Sequence, residues 1–162
     1  MPMNSADSAE MQLWAVYAWW TCILTLKMFT LTWFTGRIRV ARQVIHSEED
    51  KMWMKGPNVL LSPTGDGHPD VERIRSAHHC DLEIALPFLL ITPLWLNASP
   101  PFYIARIILP CFAILSTSYT VVHMQLVETK QCWKSAILFV KVCILIYMAT
   151  VVIIHHAYAS RT

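Results

Sequence analysis

The chain has 162 residues, of which 55% are hydrophobic and only 15% are charged, with a formal net charge of +2. This composition is too apolar for a water-soluble domain, and we expect no nucleic-acid partner. An α-helix needs about 20 mostly apolar residues to cross the hydrocarbon core of a bilayer. The composition therefore predicts an integral membrane protein.

Four long apolar runs predict the helices of that protein. The first run, Met11–Thr35, carries a single charge, Lys27, and continues into a basic segment that is compatible with a helix. We expect a single all-α domain over residues 1–162, an integral membrane four-helix bundle. Its predicted helices cover residues of about 11–42, 69–97, 101–127 and 133–158.

A long polar connection follows the first helix, over residues of about 45–68. Pro69 is well placed at the first turn of the second helix, where Asp70 also suits the helix dipole. Pro87 and Pro93 lie within that helix and should kink it, which membrane helices tolerate when a neighbour pairs with the freed carbonyl group. Lys141 interrupts the fourth helix, and we expect its ammonium to reach the membrane surface and to have no role.

Basic residues are concentrated in two of the predicted connections. The link between the second and third helices has no basic residue, and the N-terminal tail has none either. The other two connections carry nine: Arg37, Arg39, Arg42, Lys51, Lys55, Arg73, Arg75, Lys130 and Lys134. The positive-inside rule therefore predicts that both tails are luminal and both basic connections are cytosolic.

The five cysteines show no spacing typical of a metal site, so we predict no bound metal. They are Cys22, Cys80, Cys111, Cys132 and Cys143. Four of them lie in or beside apolar helices, where cysteine usually acts as a small buried hydrophobic residue.

A polar segment at the start of the second helix carries the chemically interesting residues. At helical spacing one stripe contains Glu72, Ser76, His79, Cys80 and Glu83, and His79 can contact Glu83 one turn later. At 1.5 Å per residue, Lys27 and the carboxylates of Asp81 and Glu83 lie at about the same depth, roughly 12–15 Å from the basic residues. We predict a buried ion pair between Lys27 and one of these carboxylates.

This segment resembles the signature of the MAPEG family, the membrane-associated proteins of eicosanoid and glutathione metabolism. The residues that carry the resemblance are Arg73, Arg75, Ala77, His78, Asp81, Glu83, Pro87 and Phe88. The Lys27-Met28 pair, Gly36, Arg39 and the Glu49-Asp50 pair are similar too. The resemblance spans most of residues 25–90.

The resemblance implies a trimer of four-helix subunits that binds glutathione between neighbouring subunits near the cytosolic face. Arg39, Arg75, His78 and His79 are candidates for binding its carboxylates, and Glu83 for binding its ammonium. The family places an Arg-Ser pair at the start of the fourth helix to activate the thiol, and the matching positions here are Lys134 and Ser135. The remaining candidates for the glutathione site are Ser76, Cys80, Asp81, Tyr119 and His123.

Several of these positions depart from the family pattern. Lys134 supplies charge but lacks the two-pronged guanidinium of arginine. Ser76 stands where the family usually has arginine. Leu138 lies near the position where the family's prostaglandin synthase has a tyrosine. In the third helix, Tyr119 stands where the family has a His or Arg, and His123 stands where the family has a Tyr. The departures predict a remodelled glutathione site.

The resemblance implies a glutathione transferase that conjugates the glutathione thiolate to hydrophobic electrophiles or lipid-derived substrates, with glutathione peroxidase as a further activity. One alternative is an isomerase of the prostaglandin E synthase type, with glutathione as its cofactor. Another is a catalytically weakened relative that binds glutathione or lipid. The expected location is the endoplasmic reticulum (microsomal) membrane or the outer mitochondrial membrane, with a role in detoxification.

Overall fold

The computed structural model describes residues 5–45, 48–53, 60–61, 68–124 and 130–160. Four helices dominate them: α1 (Ser5–Ala41), α2 (Pro69–Asn97), α3 (Phe102–His123) and α4 (Gln131–Ala159). The predicted all-α four-helix bundle is confirmed. α1 begins before Met11, and α3 ends at His123, before residue 127; residues 125–129 lie outside the described part of the chain.

The connection between α1 and α2 contains a little regular structure of its own. The two-residue strand β1 (Val44–Ile45) pairs in parallel with β2 (Leu60–Leu61), and a 3-10 helix covers Glu48–Trp53 between them. Val44 and Ile45 are buried. The rest of the predicted 45–68 loop lies outside the described residues.

Three of the helices, α2, α3 and α4, are long and apolar enough to cross a membrane. α1 is the longest helix, with 37 residues. Its tryptophan and threonine residues and Lys27 lower the hydropathy of its apolar run. The passage of α1 across the membrane stays a prediction, supported by its packing against both α2 and α3.

Contacts between distant residues define the helix directions. The pairs are Tyr17 with Leu89, Arg42 with Asp70, Ser76 with His123, Phe88 with Phe112, and Trp95 with Tyr147. Successive helices therefore run in opposite directions. The end of α1, the start of α2, the end of α3 and the start of α4 share one end of the bundle. We call it the basic end, because its described residues include Arg37, Arg39, Arg42, Arg73, Arg75, Lys130 and Lys134.

The apolar core lies among all four helices. Phe88 of α2 and Phe112 of α3 stack with their ring centroids 3.6 Å apart and their planes 4° apart. Trp95, Leu109 and Met148 are fully buried beside this stack. Close packing of this kind holds the polar groups nearer the basic end in fixed positions.

The hydrogen bond that Pro93 removes from α2 is replaced by one from α1. Proline has no N–H, so the carbonyl of Leu89, four residues earlier, loses its helical partner. The Tyr17 hydroxyl donates to this carbonyl at 3.2 Å. The prediction that a neighbouring helix pairs with a freed carbonyl is confirmed at this position.

We expect Tyr17→Phe to destabilise the bundle by about 0.5–1.5 kcal/mol, because it leaves the Leu89 carbonyl unpaired in an apolar environment. The free energy of unfolding in a denaturing-detergent titration measures this loss. Tyr103→Phe is the matched control, since the Tyr103 side chain is 79% exposed. Equal stabilities of the two variants would contradict the assignment.

Candidate functional site

A buried ion pair joins α1 to α2 in the interior of the bundle. Lys27 Nζ lies 2.8 Å from Asp81 Oδ2 and 2.9 Å from Oδ1, and the Asp81 side chain is fully buried. From α3, the Ser116 hydroxyl donates to Oδ1 at 3.2 Å and the Thr120 hydroxyl to Oδ2 at 3.3 Å. Lys27 also donates to the Ser116 carbonyl at 2.9 Å. The predicted pair between Lys27 and a carboxylate of α2 is confirmed, with Asp81 as the partner.

Lys141 of α4 belongs to the same group, and the prediction that it reaches the membrane surface was wrong. Its side chain is fully buried, with Nζ 3.9 Å from Asp81 Oδ1. The physical reason is the phase of the helix. Lys141 lies two turns before Met148, the other buried residue of α4, so both share the face that packs into the bundle. We call Lys27, Asp81, Ser116, Thr120 and Lys141 the Asp81 cluster.

The ammonium of Lys141 has an unusual environment. It makes no hydrogen bond to any of the described residues. It lies instead 4.9 Å from the ring centroid of Tyr119 and 5.9 Å from that of Phe112, within the range of cation–π attraction. With all groups ionised, the Asp81 cluster holds two positive charges and one negative charge. An unbalanced charge is costly in an apolar interior, and Asp81 is the anion that faces both ammonium groups.

The polar residues of α2 divide between two faces of the helix. Ser76 Oγ lies 3.3 Å from His123 Nε2 of α3, and Cys80 is half-buried. On another face, His79 Nδ1 lies 3.2 Å from Glu83 Oε1, with both side chains mostly exposed. The predicted contact of His79 with Glu83 is confirmed. Within one chain, however, their face of α2 is not packed against another helix.

Aromatic and polar side chains of α3 connect the Asp81 cluster to the basic end. Tyr119 and His123 stack with their ring centroids 5.5 Å apart. The charges of Lys134 and Arg73 act on His123. These contacts form a series of side chains, which we call the polar path, from Ser76 and His123 near the basic end through Tyr119 to the buried Lys141.

The other predicted site residues lie around the start of this path with different exposures. Lys134 is half-buried, whereas Ser135 next to it is exposed. Arg39 is half-buried, and its Nε atom has no hydrogen-bond partner in the described part of the chain. The same holds for Nδ1 of the half-buried His78. Arg75 is exposed, with its guanidinium 3.7 Å from the Glu72 carboxylate.

Two apolar depressions lie beside the polar path. A cleft of about 460 Å³ at the basic end is lined by Phe34, Ile38, Ala41, Arg42, Asp70, Arg73, Ile74 and Met124. A groove of about 340 Å³ between α1 and α2 is lined by Thr25, Met28, Phe29, Thr32, His78, Leu82, Leu86 and Leu89. Both have the apolar lining that hydrophobic ligands or neighbouring subunits require. Among the described residues, no group of three or more His, Cys, Asp or Glu side chains could hold a metal ion.

Sequence reasoning missed three members of the Asp81 cluster. Ser116 and Thr120 gave no signal, because single hydroxyl residues are common in membrane helices. Lys141 did give one, since it is an isolated charge in the most apolar helix. Such a residue is a candidate for function unless it lies near a helix end.

Comparisons with known proteins agree with the resemblance in the sequence. The sequence model of the MAPEG family matches residues 17–154. A similar protein is the prostaglandin E synthase of Homo sapiens, 28% identical over 121 residues, which cover 74% of this chain and 76% of the relative. The enzyme of the same name from Macaca fascicularis gives the same figures. The one from Bos taurus is 24% identical over 124 residues, or 76% of this chain and 78% of the relative.

Proposed function

Because this chain belongs to the MAPEG family, we propose that it is a glutathione-dependent membrane enzyme, a transferase that conjugates the glutathione thiolate to hydrophobic electrophiles. The observation that carries this proposal is the polar path from the basic end to the Asp81 cluster, enclosed in an otherwise apolar bundle. Polar groups at such depth are costly and are normally retained for a ligand or a reaction.

The charges around the path fit the chemistry of glutathione, which has two carboxylates, one ammonium and one thiol. Arg39 and Arg75 provide guanidinium groups for the carboxylates, and His78 and His79 provide further donors. Glu83 provides an anion for the ammonium. The thiol must react as the thiolate, which nearby positive charge stabilises, and Lys134 and Ser135 are the candidates for this step.

The proposed site is completed by neighbouring subunits in a trimer. His79 and Glu83 lie on an exposed face of α2, and the apolar groove beside His78 opens between α1 and α2. A second copy packed on these surfaces would enclose a glutathione bound there. The apolar cleft and groove would also admit an electrophile from the bilayer. We place the site at the cytosolic side of the endoplasmic reticulum membrane.

A second candidate function is that of a prostaglandin E synthase, and the names of the similar proteins favour it. Such an enzyme would use the same glutathione site but would isomerise an endoperoxide. The transferase takes precedence in our proposal because Leu138 of α4 lies near the position where the family resemblance places a tyrosine of the synthase.

The test is glutathione consumption by the purified full-length protein in detergent, with a generic aryl halide as electrophile. Equilibrium binding of glutathione to the same sample is measured in parallel. Turnover with the aryl halide would support the transferase. Turnover of a prostaglandin endoperoxide alone would support the synthase. Binding without any turnover would indicate a non-catalytic relative. The absence of both binding and turnover in a folded trimer would overturn the proposal.

We expect Glu83→Gln to weaken glutathione binding by at least about tenfold, because the ammonium of glutathione would lose a charged hydrogen-bond partner. Isothermal titration of glutathione into the detergent-solubilised trimer measures the change. Glu10→Gln, at an exposed position of α1, controls for the loss of one negative charge. An unchanged dissociation constant in Glu83→Gln would reject the role of Glu83.

A further inference from the structure

Two contacts hold the imidazole ring of His123 where α2 meets α3 near the basic end. Its Nε2 atom lies 3.3 Å from the Ser76 hydroxyl of α2. Its ring stacks on that of Tyr119, one turn earlier in α3, with the ring centroids 5.5 Å apart and the planes 24° apart. Because one contact is at the edge of the ring and the other at its face, both its position and its plane are restricted.

The contact with Ser76 leaves one ring nitrogen of His123 available. A neutral imidazole has one N–H donor and one acceptor nitrogen. With the proton on Nε2, His123 donates to Ser76 Oγ, and Nδ1 carries the free lone pair. Nδ1 makes no hydrogen bond to the described residues. Since histidine is ordinarily neutral near pH 7, this tautomer is a positioned proton acceptor.

Other possible proton acceptors at the basic end have partners or face elsewhere. The carboxylates of Asp70 and Glu72 are ion-paired with arginines, at 2.7 and 3.7 Å. His78 lines the groove between α1 and α2. His78 and Ser76 are two residues apart in a helix of about 3.6 residues per turn, so they point to nearly opposite sides of α2. His123 is therefore the best placed acceptor between α2 and α3.

His123 complements the positive charge of Lys134. A charged lysine has three N–H donors and no acceptor, so Lys134 can stabilise a thiolate but cannot take the proton from a thiol. Its charge acts on His123, as do those of Arg73 and Asp81 of α2. Lys27 of α1 is held by Asp81 deeper in the bundle. His123 thus provides the proton acceptor that Lys134 lacks.

We propose that His123 is the general base of the proposed transferase and that Ser76 positions its ring. This inference rests on the proposed function, since it requires glutathione to bind with its thiol beside His123. The S–H bond of the thiol breaks, and its proton moves to Nδ1 of His123, which becomes an imidazolium. The thiolate sulfur then bonds to the electrophilic carbon of an aryl halide, and the halide leaves with the bonding electron pair. The imidazolium returns its proton to water.

The test compares the pH dependence of kcat/KM in the wild type and in His123→Gln, with the full-length protein in detergent and an aryl halide as electrophile. The wild-type value should rise to a plateau with its half-maximum at about pH 6–7, where histidine loses its proton. We expect His123→Gln to lose about 100-fold in kcat at pH 7, with an unchanged glutathione dissociation constant. Its rate should keep rising above pH 7, because the thiol must then ionise without a base. His155→Gln, at an exposed position near the other end of α4, is the matched control.

Two variants of Ser76 test its positioning role. Ser76→Ala should lower kcat by about fivefold to tenfold, the effect of one lost hydrogen bond, and keep the wild-type pH profile. Ser76→Thr keeps the hydroxyl and should keep the rate.

An unchanged pH profile in His123→Gln, or a loss confined to glutathione affinity, would overturn this inference alone. If His123→Gln does not assemble into a folded trimer, wild-type rates in Ser76→Ala across the pH range would overturn it. Absence of turnover in the wild type at every pH would overturn the proposed function together with this inference.

Discussion

Asp81→Asn is expected to destabilise the folded chain by about 3–5 kcal/mol, the usual cost of removing one partner from a buried ion pair. Asp81 is the carboxylate that faces both buried lysines, with Lys27 Nζ at 2.8 Å and Lys141 Nζ at 3.9 Å. Its loss leaves two ammonium groups close together in an apolar interior. The free energy of unfolding in a denaturing-detergent titration, followed by circular dichroism, measures the effect.

Lys27→Met provides the comparison that makes this prediction specific. When Lys27 is removed, Asp81 keeps Lys141 as a counter-charge and keeps the hydroxyl donors of Ser116 and Thr120. We expect this variant to lose no more than about 1–2 kcal/mol. The double variant should be less destabilised than the sum of the two single variants, since the partners are in contact. If Asp81→Asn proved no worse than Lys27→Met, the shared role of Asp81 would be rejected.

The helices and one ion pair could be predicted from sequence because both depend on position along the chain. Apolar runs give helix lengths, and Pro69 with Asp70 gives the start of α2. A rise of about 1.5 Å per residue matches Lys27 in depth with both Asp81 and Glu83, and the structure identifies Asp81 as the partner. Depth alone does not say which way a side chain points, and for this reason the sequence places the Lys141 ammonium at the membrane surface, whereas the structure buries it.

The arrangement of the site depends on the rotation of each helix about its own axis, which a single sequence specifies weakly. Helical spacing groups Ser76, His79, Cys80 and Glu83 on neighbouring positions of α2, but it does not say which side packs against α3. The structure turns Ser76 toward His123 and leaves His79 and Glu83 exposed. These rotations are set by the packing of all four helices, including the Phe88–Phe112 stack.

Lys134→Ala is expected to lower kcat/KM for glutathione conjugation by about 100-fold, if the ammonium of Lys134 stabilises the glutathione thiolate. Lys134 is half-buried at the start of α4, and its charge acts on His123 at the entrance of the polar path. Truncating the side chain removes that charge without touching the Asp81 cluster. The trimer and its unfolding free energy should therefore be unchanged, which separates a catalytic loss from a folding defect.

Lys130→Ala is the matched control, since Lys130 precedes α4 by one residue and is exposed. It removes the same charge from the same end of the bundle and should leave kcat/KM within about twofold, because exposed charges are screened by water and salt. Lys134→Arg should match or exceed the wild-type rate, since a guanidinium adds a second parallel donor for an anion. Equal losses in Lys134→Ala and Lys130→Ala would mean that only the general positive field of the basic end matters, and that thiolate activation must be sought deeper along the path.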